Sequence, residues 1–491
     1  MRPVLTKLRP LVPIAAVALV LWLIFPNAFP TYDTFYALLW GDELARGLSP
    51  DYGAPLPPTP HPLADLWGAL ASVLGPAGAS DATTVLAYLV LGAIAYLVYR
   101  LGELWFDRAI GVVAALIVLT RPGYLSDGLH AYVDLPYLAL VLAALVLETR
   151  RPRAGWPVLA LLAVAGLLRP EAWLFSAAYL AYLLLERDPQ GGALALRRRP
   201  GIDGRILAGL VALAAASPIL WALFDLTTAG DPLYSFTGTR DTVEALERKT
   251  GPIDLVLYGP RRLAEVLKWP GALGAAMGVA LCLAFLPRRS RIGLTAVVLA
   301  LSAFALLATA GLAIIPRYTM LAATLLAVFC AAALLGWRLV GPDHPWRRRW
   351  QLLAALTAVG FAVWIPNQHD ELADMRTALE HQNRVEGDLH RLADSFDRRP
   401  RCGPISVPSY RAIPRLAGWL DMRPSQIYAT SDRWRPDRGS YFSPASQFAV
   451  QNFLLDPGDP THLSIDVPPG FRLVRANGSW RLYARCGQRA D

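Results

Sequence analysis

The chain has 491 residues and a formal net charge of +9, and 54% of its residues are hydrophobic while only 17% are charged. Soluble proteins carry about 25% charged residues, so this composition excludes an ordinary soluble protein and indicates one that lies in a membrane. Basic residues are in excess, but no stacking aromatics alternate with a basic stripe, and a nucleic-acid partner is therefore not expected.

The first apolar run covers residues 11–29 and follows a basic N-terminus. Bulky Phe25 and Phe29 stand where a signal peptide would have a small-residue cleavage site, so we predict a retained signal anchor with a cytoplasmic N-terminus. Tyr32 and Asp33 follow this run. An acid at the end of a membrane helix is a functional candidate because a carboxylate is costly in hydrocarbon. Alternatively, Asp33 caps a helix over residues 34–47.

Further along the chain, apolar runs recur with about the length that crosses roughly 30 Å of hydrocarbon. Arginine clusters fall in alternate connections, which predicts that those connections are cytoplasmic and the others extracytoplasmic. The runs on either side of Pro170 could form one kinked helix. A single helix would place the later arginine clusters outside, so charge favours a hairpin with Arg169 and Glu171 on the outer side. The eleven predicted spans are 11–29, 82–100, 108–122, 131–148, 156–169, 171–186, 206–224, 270–287, 292–315, 318–337 and 351–366.

Residues 1–366 thus form a predicted transmembrane domain with two long outer loops, 30–81 and 225–269. Residues 367–491 lack a membrane-length run and mix Arg with Asp and Glu, so we predict a small extracytoplasmic α/β domain. The fold class is therefore an α-helical polytopic membrane protein with a C-terminal α/β domain. In this domain we expect helices at 370–396 and 411–420, and strands at 404–407, 471–474 and 480–483.

The four cysteines divide into two pairs. Cys282 and Cys330 lie inside predicted spans, where they serve as apolar filler. Cys402 and Cys486 flank the C-terminal domain, and an oxidising outer compartment permits a disulfide between them. Two free thiols are the alternative.

With this topology, the unusual polar residues fall on the outer side. Carboxylates there could act as bases, and cations could bind an anionic group. The candidates are Tyr32, Asp33, His61, Asp127, His130, Asp134, Arg169, Glu171, Arg240, Arg317 and Tyr318.

Most of these candidates also have a structural interpretation. Asp127 and Asp134 could be loop or cap residues, and His61 a packed loop histidine. Arg317 could be a snorkelling arginine at the membrane interface. Arg169 and Glu171 could pair with each other and brace their hairpin. Their shared side and depth favour the functional interpretation.

The chain resembles the GT-C glycosyltransferases, polytopic membrane enzymes that use polyprenyl-phosphate sugars. Within them it is most similar to the branch near lipid A aminoarabinose transferases and protein O-mannosyltransferases. The resemblance covers residues 11–337 as architecture. Its motifs are Tyr32-Asp33, Pro60-His61-Pro62-Leu63, Asp127 to Asp134, Leu167-Leu168-Arg169-Pro170-Glu171, Gly230-Asp231-Pro232-Leu233 and Pro316-Arg317-Tyr318.

The resemblance implies a role for several of these residues. Asp33 would be the general base on the acceptor, Asp127 a second acid with Asp134 in reserve, and Arg317 would hold the donor phosphate. The family often has Lys-Pro-Pro or His-Pro-Pro in the first outer loop, whereas this chain has His61-Pro62-Leu63. The implied reaction transfers a sugar, with inversion, to an extracytoplasmic glycan, lipid or protein.

Other functions remain open at this stage. No nucleotide-binding motif is present, which favours a lipid-linked donor. No cofactor is predicted, although Asp33, Asp127 and Asp134 could alternatively hold a divalent metal, as in oligosaccharyltransferases. A transporter or lipid flippase would place its charges near the membrane midplane between repeats. A non-catalytic envelope assembly protein is the third possibility.

Overall fold

Helices make up most of the computed structural model, which describes residues 10–187, 196–199, 203–397, 403–430, 437–455 and 465–486. Short 3-10 helices lie at 72–74, 316–319, 336–339, 410–412 and 424–426, and a π-helix at 450–454. The α-helices are α1 (Leu11–Ile24), α2 (Tyr32–Ala45), α3 (Pro62–Ala71), α4 (Gly75–Trp105), α5 (Arg108–Leu119), α6 (Pro122–Leu129), α7 (Asp134–Arg150), α8 (Trp156–Gly166), α9 (Glu171–Leu184), α10 (Gly204–Ala229), α11 (Tyr234–Ala245), α12 (Gly251–Phe285), α13 (Pro287–Thr309), α14 (Met320–Leu335), α15 (Arg347–Asp397), α16 (Ile413–Trp419) and α17 (Gln447–Ala449).

A helix overlaps each of the eleven predicted spans. Among the described residues, however, six helices are long and apolar enough to cross a membrane, or seven if α5 and α6, bent by 64°, form one broken span. Three shorter apolar helices, α1, α8 and α9, fall below that length. A bundle of apolar helices is therefore confirmed, and the number eleven stays a prediction.

Helix α14 lies at the centre of the bundle, and nearly all of its residues from Met320 to Ala333 are buried. It packs so closely against α12 that a methyl group at Gly278 would collide with the Phe329 carbonyl. A Cβ at Gly274 would lie 2.6 Å from the Cys330 sulfur. Close packing is thus the role of these small residues.

Helix α12 is interrupted at Lys268, where φ is +60° and ψ is 160°. Pro270 follows two residues later and cannot donate to the helix ladder. The sequence placed a span from residue 270 onward, so the helix before the break, from Gly251, was not expected. Lys268 is paired with Glu371 of α15 at 3.0 Å.

Helix α15 runs without interruption for 51 residues, through Pro366. The last predicted span and the predicted helix at 370–396 are therefore one helix. Its C-terminal half covers a five-stranded mixed sheet, where the Trp480 indole donates to the Val385 carbonyl at 3.0 Å. We call this sheet, with its helices, the C-terminal sheet.

The strand at Ile405–Val407 is second from one edge of the C-terminal sheet and is buried on both faces, as expected for a parallel strand. It pairs in parallel with one neighbour through Ile405 and Ile427, and with the other through Ile405 and Ser440. The last two strands add antiparallel, giving the order β4-β3-β5-β7-β6. The strands are β3 (Ile405–Val407), β4 (Ile427–Ala429), β5 (Gly439–Pro444), β6 (Arg472–Ala476) and β7 (Trp480–Arg485), while β1 (Leu185–Arg187) and β2 (Leu196–Arg198) form a separate antiparallel pair.

The cysteines partly follow expectation. Cys282 and Cys330 are free and fully buried in α12 and α14. Cys486 is disulfide-bonded. Cys402, its predicted partner, lies outside the described residues, so this pairing stays a prediction.

Candidate functional site

Asp33 lies in the first turn of α2, where the helix N-terminus favours negative charge. Thr31 caps this helix, and its hydroxyl accepts from the Thr34 amide at 3.4 Å. The entry to α2 is joined to the turn after α6: the Thr31 amide donates to the His130 carbonyl at 3.0 Å, and the Thr34 hydroxyl donates to the Ala131 carbonyl at 3.0 Å. These bonds bring Asp33 beside the segment that carries the other candidate acids.

Arg317 faces Asp33 from the 3-10 turn before α14. Its guanidinium lies 3.6 Å from the Asp33 carboxylate, and the two side chains are 21% and 34% exposed. The guanidinium also lies 4.6 Å from the centre of the Tyr132 ring and 5.6 Å from that of Tyr318. A cation held against aromatic faces keeps its orientation while it stays reachable from solvent.

Behind this pair lies a buried ionic cluster, centred on Arg169. Its guanidinium is 3.3 Å from the Asp134 carboxylate and 2.9 Å from that of Glu171, and all three side chains are less than 9% exposed. Tyr318 lies under the guanidinium, with the ring centre at 4.1 Å. Because Tyr318 also contacts Arg317, its ring connects the buried cluster to the more exposed arginine and supports it.

A narrow cleft joins the two arginines. It is lined by Asp134, Arg169, Glu171, Arg317 and Tyr318, together with apolar side chains that include Phe304 of α13. Asp127 belongs to the same charged group, because its carboxylate interacts electrostatically with Asp134 and Arg317.

His61 reaches this site from the first long connection, just before α3. Burial, together with the nearby charges of Arg169 and Arg317, lowers the pKa of His61 to about 3. Its ring packs against Trp221 at 5.6 Å. The imidazole is therefore neutral at physiological pH and can offer hydrogen bonds but no positive charge.

Three predicted site residues occupy other positions. The Tyr32 hydroxyl donates to the Leu56 carbonyl, so this side chain forms part of the wall of the site. His130 contacts the Ser126 carbonyl at 2.7 Å and Gln382 of α15 at 3.1 Å. Arg240 lies in a separate polar cleft beside Gly311, with Asp241, Glu244 and Arg248.

Two residues with specific contacts, one at the site and one at the start of α6, were not foreseen. Tyr132 contacts Arg317, and its aromatic ring within the Asp127 to Asp134 motif was the available signal. Arg121, which is 1% exposed, precedes α6 and donates to the Leu267 carbonyl at 3.3 Å and to Gln368. It ties the start of α6 to the break in α12 and to α15, and no sequence pattern marked it.

Among the residues that the structure describes, no group of three or more His, Cys, Asp or Glu side chains could hold a metal ion. The acids of the site are instead paired with arginines, as in the contacts from Asp33 to Arg317 and from Asp134 to Arg169. In this arrangement a carboxylate can accept a proton and a guanidinium can bind an anion.

No protein-family model and no curated protein matches the sequence. Among solved structures, the chain is similar to ArnT from Cupriavidus metallidurans bound to undecaprenyl phosphate, with a TM-score of 0.55, 13% identity and coverage of 96% of this chain and 97% of that one. The apo form of the same protein gives a TM-score of 0.55, 14% identity and the same coverage, 96% and 97%. An apo oligosaccharyltransferase from Archaeoglobus fulgidus gives 0.46 and 11% identity, over 86% of this chain and 64% of that one. The chain has the same fold as ArnT, and the similarity expected from the sequence is confirmed at the level of the fold.

Proposed function

We propose that the protein is a membrane glycosyltransferase that moves a sugar from a polyprenyl-phosphate-linked donor to a hydroxyl group of an extracytoplasmic glycan, lipid or protein. Asp33 is the general base, and Arg317 binds the donor phosphate. The observation that carries the proposal is the approach of these two side chains to 3.6 Å. A carboxylate, which can accept a proton, and a guanidinium, which can bind an anion, thus lie side by side and partly exposed.

In the proposed reaction, the acceptor oxygen attacks the anomeric carbon while its proton passes to the Asp33 carboxylate. The new bond forms as the bond from the anomeric carbon to the phosphate oxygen breaks, and polyprenyl phosphate leaves with one more negative charge. A single displacement of this kind inverts the anomeric carbon. The base raises the nucleophilicity of a hydroxyl group that is otherwise a poor nucleophile.

Arg317 stabilises the negative charge that develops on the leaving phosphate. A guanidinium can bind two phosphate oxygens at once, and the aromatic faces of Tyr132 and Tyr318 hold it in place. The Asp33 contact at 3.6 Å is longer than a hydrogen bond, so a phosphate can compete for Arg317 and leave the Asp33 carboxylate to the acceptor.

The remaining candidate residues have supporting roles in this proposal. Asp127 is the second acid of the site, with Asp134 and Arg317 as its charged neighbours, and the Arg169 cluster supports Arg317 through Tyr318. His61 acts as a neutral hydrogen-bonding group, because its lowered pKa rules out a cationic role near pH 7.

A lipid-linked donor fits the molecule for two reasons. The site adjoins a bundle of helices apolar enough to cross a membrane, so a polyprenyl chain can approach from the bilayer. The ArnT structure with the same fold is bound to undecaprenyl phosphate. The arginine clusters in alternate connections support a cytoplasmic N-terminus, with the site and the C-terminal sheet outside.

The test is a transfer assay with the full chain in lipid nanodiscs. Lipid-linked sugars from cells that lack the protein are analysed by mass spectrometry, and the one that accumulates is offered as the donor. We expect wild-type protein to release free polyprenyl phosphate and glycosylate an acceptor, and Asp33→Asn to do both at least about 100-fold more slowly. A wild-type protein that moves the intact donor across a bilayer without cleaving it would be a flippase and would overturn the proposal.

A further inference from the structure

Helix α2, which carries Asp33, is held at its C-terminal end by the C-terminal sheet. The Arg423 guanidinium donates to the Ser49 carbonyl at 2.7 Å and lies 3.4 Å from the Glu43 carboxylate. Asp421 pairs with Arg46, the residue that follows α2, at 2.9 Å. The side chains of these last two residues are 81% and 52% exposed, so they add contact area more than stability.

The hold on the N-terminal end of α2 is different, because it is buried. Arg415 of α16 is 2% exposed, and its Nη2 atom donates to the Pro30 carbonyl at 2.7 Å. Its Nε atom lies 3.3 Å from the Glu386 carboxylate on α15. A buried arginine without these partners would be strongly unfavourable, so this position is specified by its contacts.

Aromatic rings enclose the same guanidinium. Its central carbon lies 4.4 Å from the ring centre of Phe29, 4.3 Å from that of Phe35 and 5.0 Å from that of Phe453. Phe29 and Phe35 stand on either side of Asp33 in the sequence. Arg415 therefore contacts the chain both before and after Asp33.

The Pro30 carbonyl belongs to the peptide that leads into Thr31, the residue that caps α2. A bond to this carbonyl fixes the plane of that peptide, and the cap then sets the direction in which α2 begins. Asp33 lies in the next turn. Through this chain of contacts Arg415 determines where the carboxylate lies relative to Arg317.

We propose that Arg415 is a positioning residue for Asp33, and that the C-terminal sheet is a working part of the transfer site. The inference rests on the proposed role of Asp33 as the base. Arg415 touches neither Asp33 nor Arg317, and it acts only through the Pro30 carbonyl and the two phenylalanine rings.

The experiment compares Arg415→Met and Arg415→Lys with a control, Arg376→Gln, in the full chain. Arg376 pairs with Glu380 on the solvent-exposed side of α15 and does not contact α2. We expect kcat of Arg415→Met to fall about 10- to 100-fold, because a displacement of the order of 1 Å costs that much, while KM for the donor changes less. Arg415→Lys keeps one donor and should recover part of kcat. If Arg415→Met does not fold, Arg415→Lys is compared with wild type instead.

Hydrogen exchange of the folded variants gives a readout that needs no transfer activity. The amides of Thr34 and Phe35, which bond to Thr31, should exchange faster in Arg415→Met, and those of α3 should be unchanged. Unchanged exchange with unchanged kcat per folded molecule would overturn the positioning role. If wild-type protein transfers no sugar, the proposed function fails, and the exchange rates alone then decide whether Arg415 positions Asp33.

Discussion

Arg317 approaches Asp33 to 3.6 Å, beyond hydrogen-bond distance, although the two belong to segments far apart in the sequence. A buried, tightly bonded pair would be a structural brace. This pair is partly exposed and loosely held, so each partner remains able to exchange the other for a ligand. The first two predictions test each partner separately.

Replacing Asp33 with Asn should lower kcat by about 100-fold or more, the usual contribution of a general base. The protein should still fold, because the side chain is 34% exposed and the capping Thr31 is untouched. The measurement is the rate of sugar transfer per folded molecule. Asp42→Asn, the same change on the same helix, is the matched control, and equal loss in both variants would contradict the prediction.

Replacing Arg317 should weaken the use of the donor. Arg317→Gln removes a charge-assisted contact worth about 1.5–3 kcal/mol, so kcat/KM should fall by roughly 10- to 100-fold. Arg317→Lys retains charge without the two-pronged geometry and should be intermediate. Transfer kinetics at varied donor concentration provide the test. Arg338→Gln, at the other end of α14, should leave the kinetics unchanged, and wild-type kinetics in Arg317→Gln would remove the phosphate role.

In the buried cluster around Arg169, leaving charges unpaired should lower the free energy of unfolding more than removing all of the charges does. Arg169→Met leaves the Asp134 and Glu171 carboxylates buried without a partner, which should cost about 3–5 kcal/mol of unfolding free energy. A triple variant that adds Asp134→Asn and Glu171→Gln should recover most of this loss. Thermal unfolding in detergent compares the two, and a triple variant less stable than the single one would refute the expectation.

His61 should give the protein an acid-sensitive stability. Burial lowers its pKa from 6.5 to about 3, so the unfolded chain binds a proton there that the folded chain does not. Between these two pH values the free energy of unfolding decreases as pH falls, and above pH 6.5 this group has no effect.

His61→Gln should therefore gain stability relative to wild type on acidification from pH 8 to pH 5, by roughly 1–2 kcal/mol. Melting temperatures at the two pH values test this, with the exposed His369→Gln as control. A relative melting temperature of His61→Gln that does not change with pH would show that His61 titrates normally in the folded protein.

The helical bundle could be predicted from sequence because hydrocarbon selects long apolar runs, and these are visible locally. The exceptions are instructive. Helix α12 begins at Gly251, before the predicted span, because a break at Lys268 lets an amphipathic segment precede the apolar one. Helix α15 passes Pro366 because its two halves pack on separate parts of the protein, Trp350 on α14 and Val385 on the C-terminal sheet, and a local rule does not include these contacts.

The candidate site could be predicted only in part. Asp33, Asp127 and Arg317 stand out because charges at the ends of apolar runs are rare. Their mutual distances depend on how the helices pack and are absent from the sequence. Arg415 had no local signal at all, since its partners Pro30 and Glu386 come from distant segments.

The 51-residue length of α15 has a mechanical consequence. Such a helix is about 76 Å long, so if α15 crosses the membrane as predicted, roughly 45 Å of it extends beyond a 30 Å hydrocarbon layer. One residue inserted near Pro366 would turn everything beyond it by about 100° and raise it by about 1.5 Å. The contacts between the C-terminal sheet and α2 would then be lost. In a membrane-spanning α15, the length of the helix would thus set the height and angle of the C-terminal sheet relative to the bilayer.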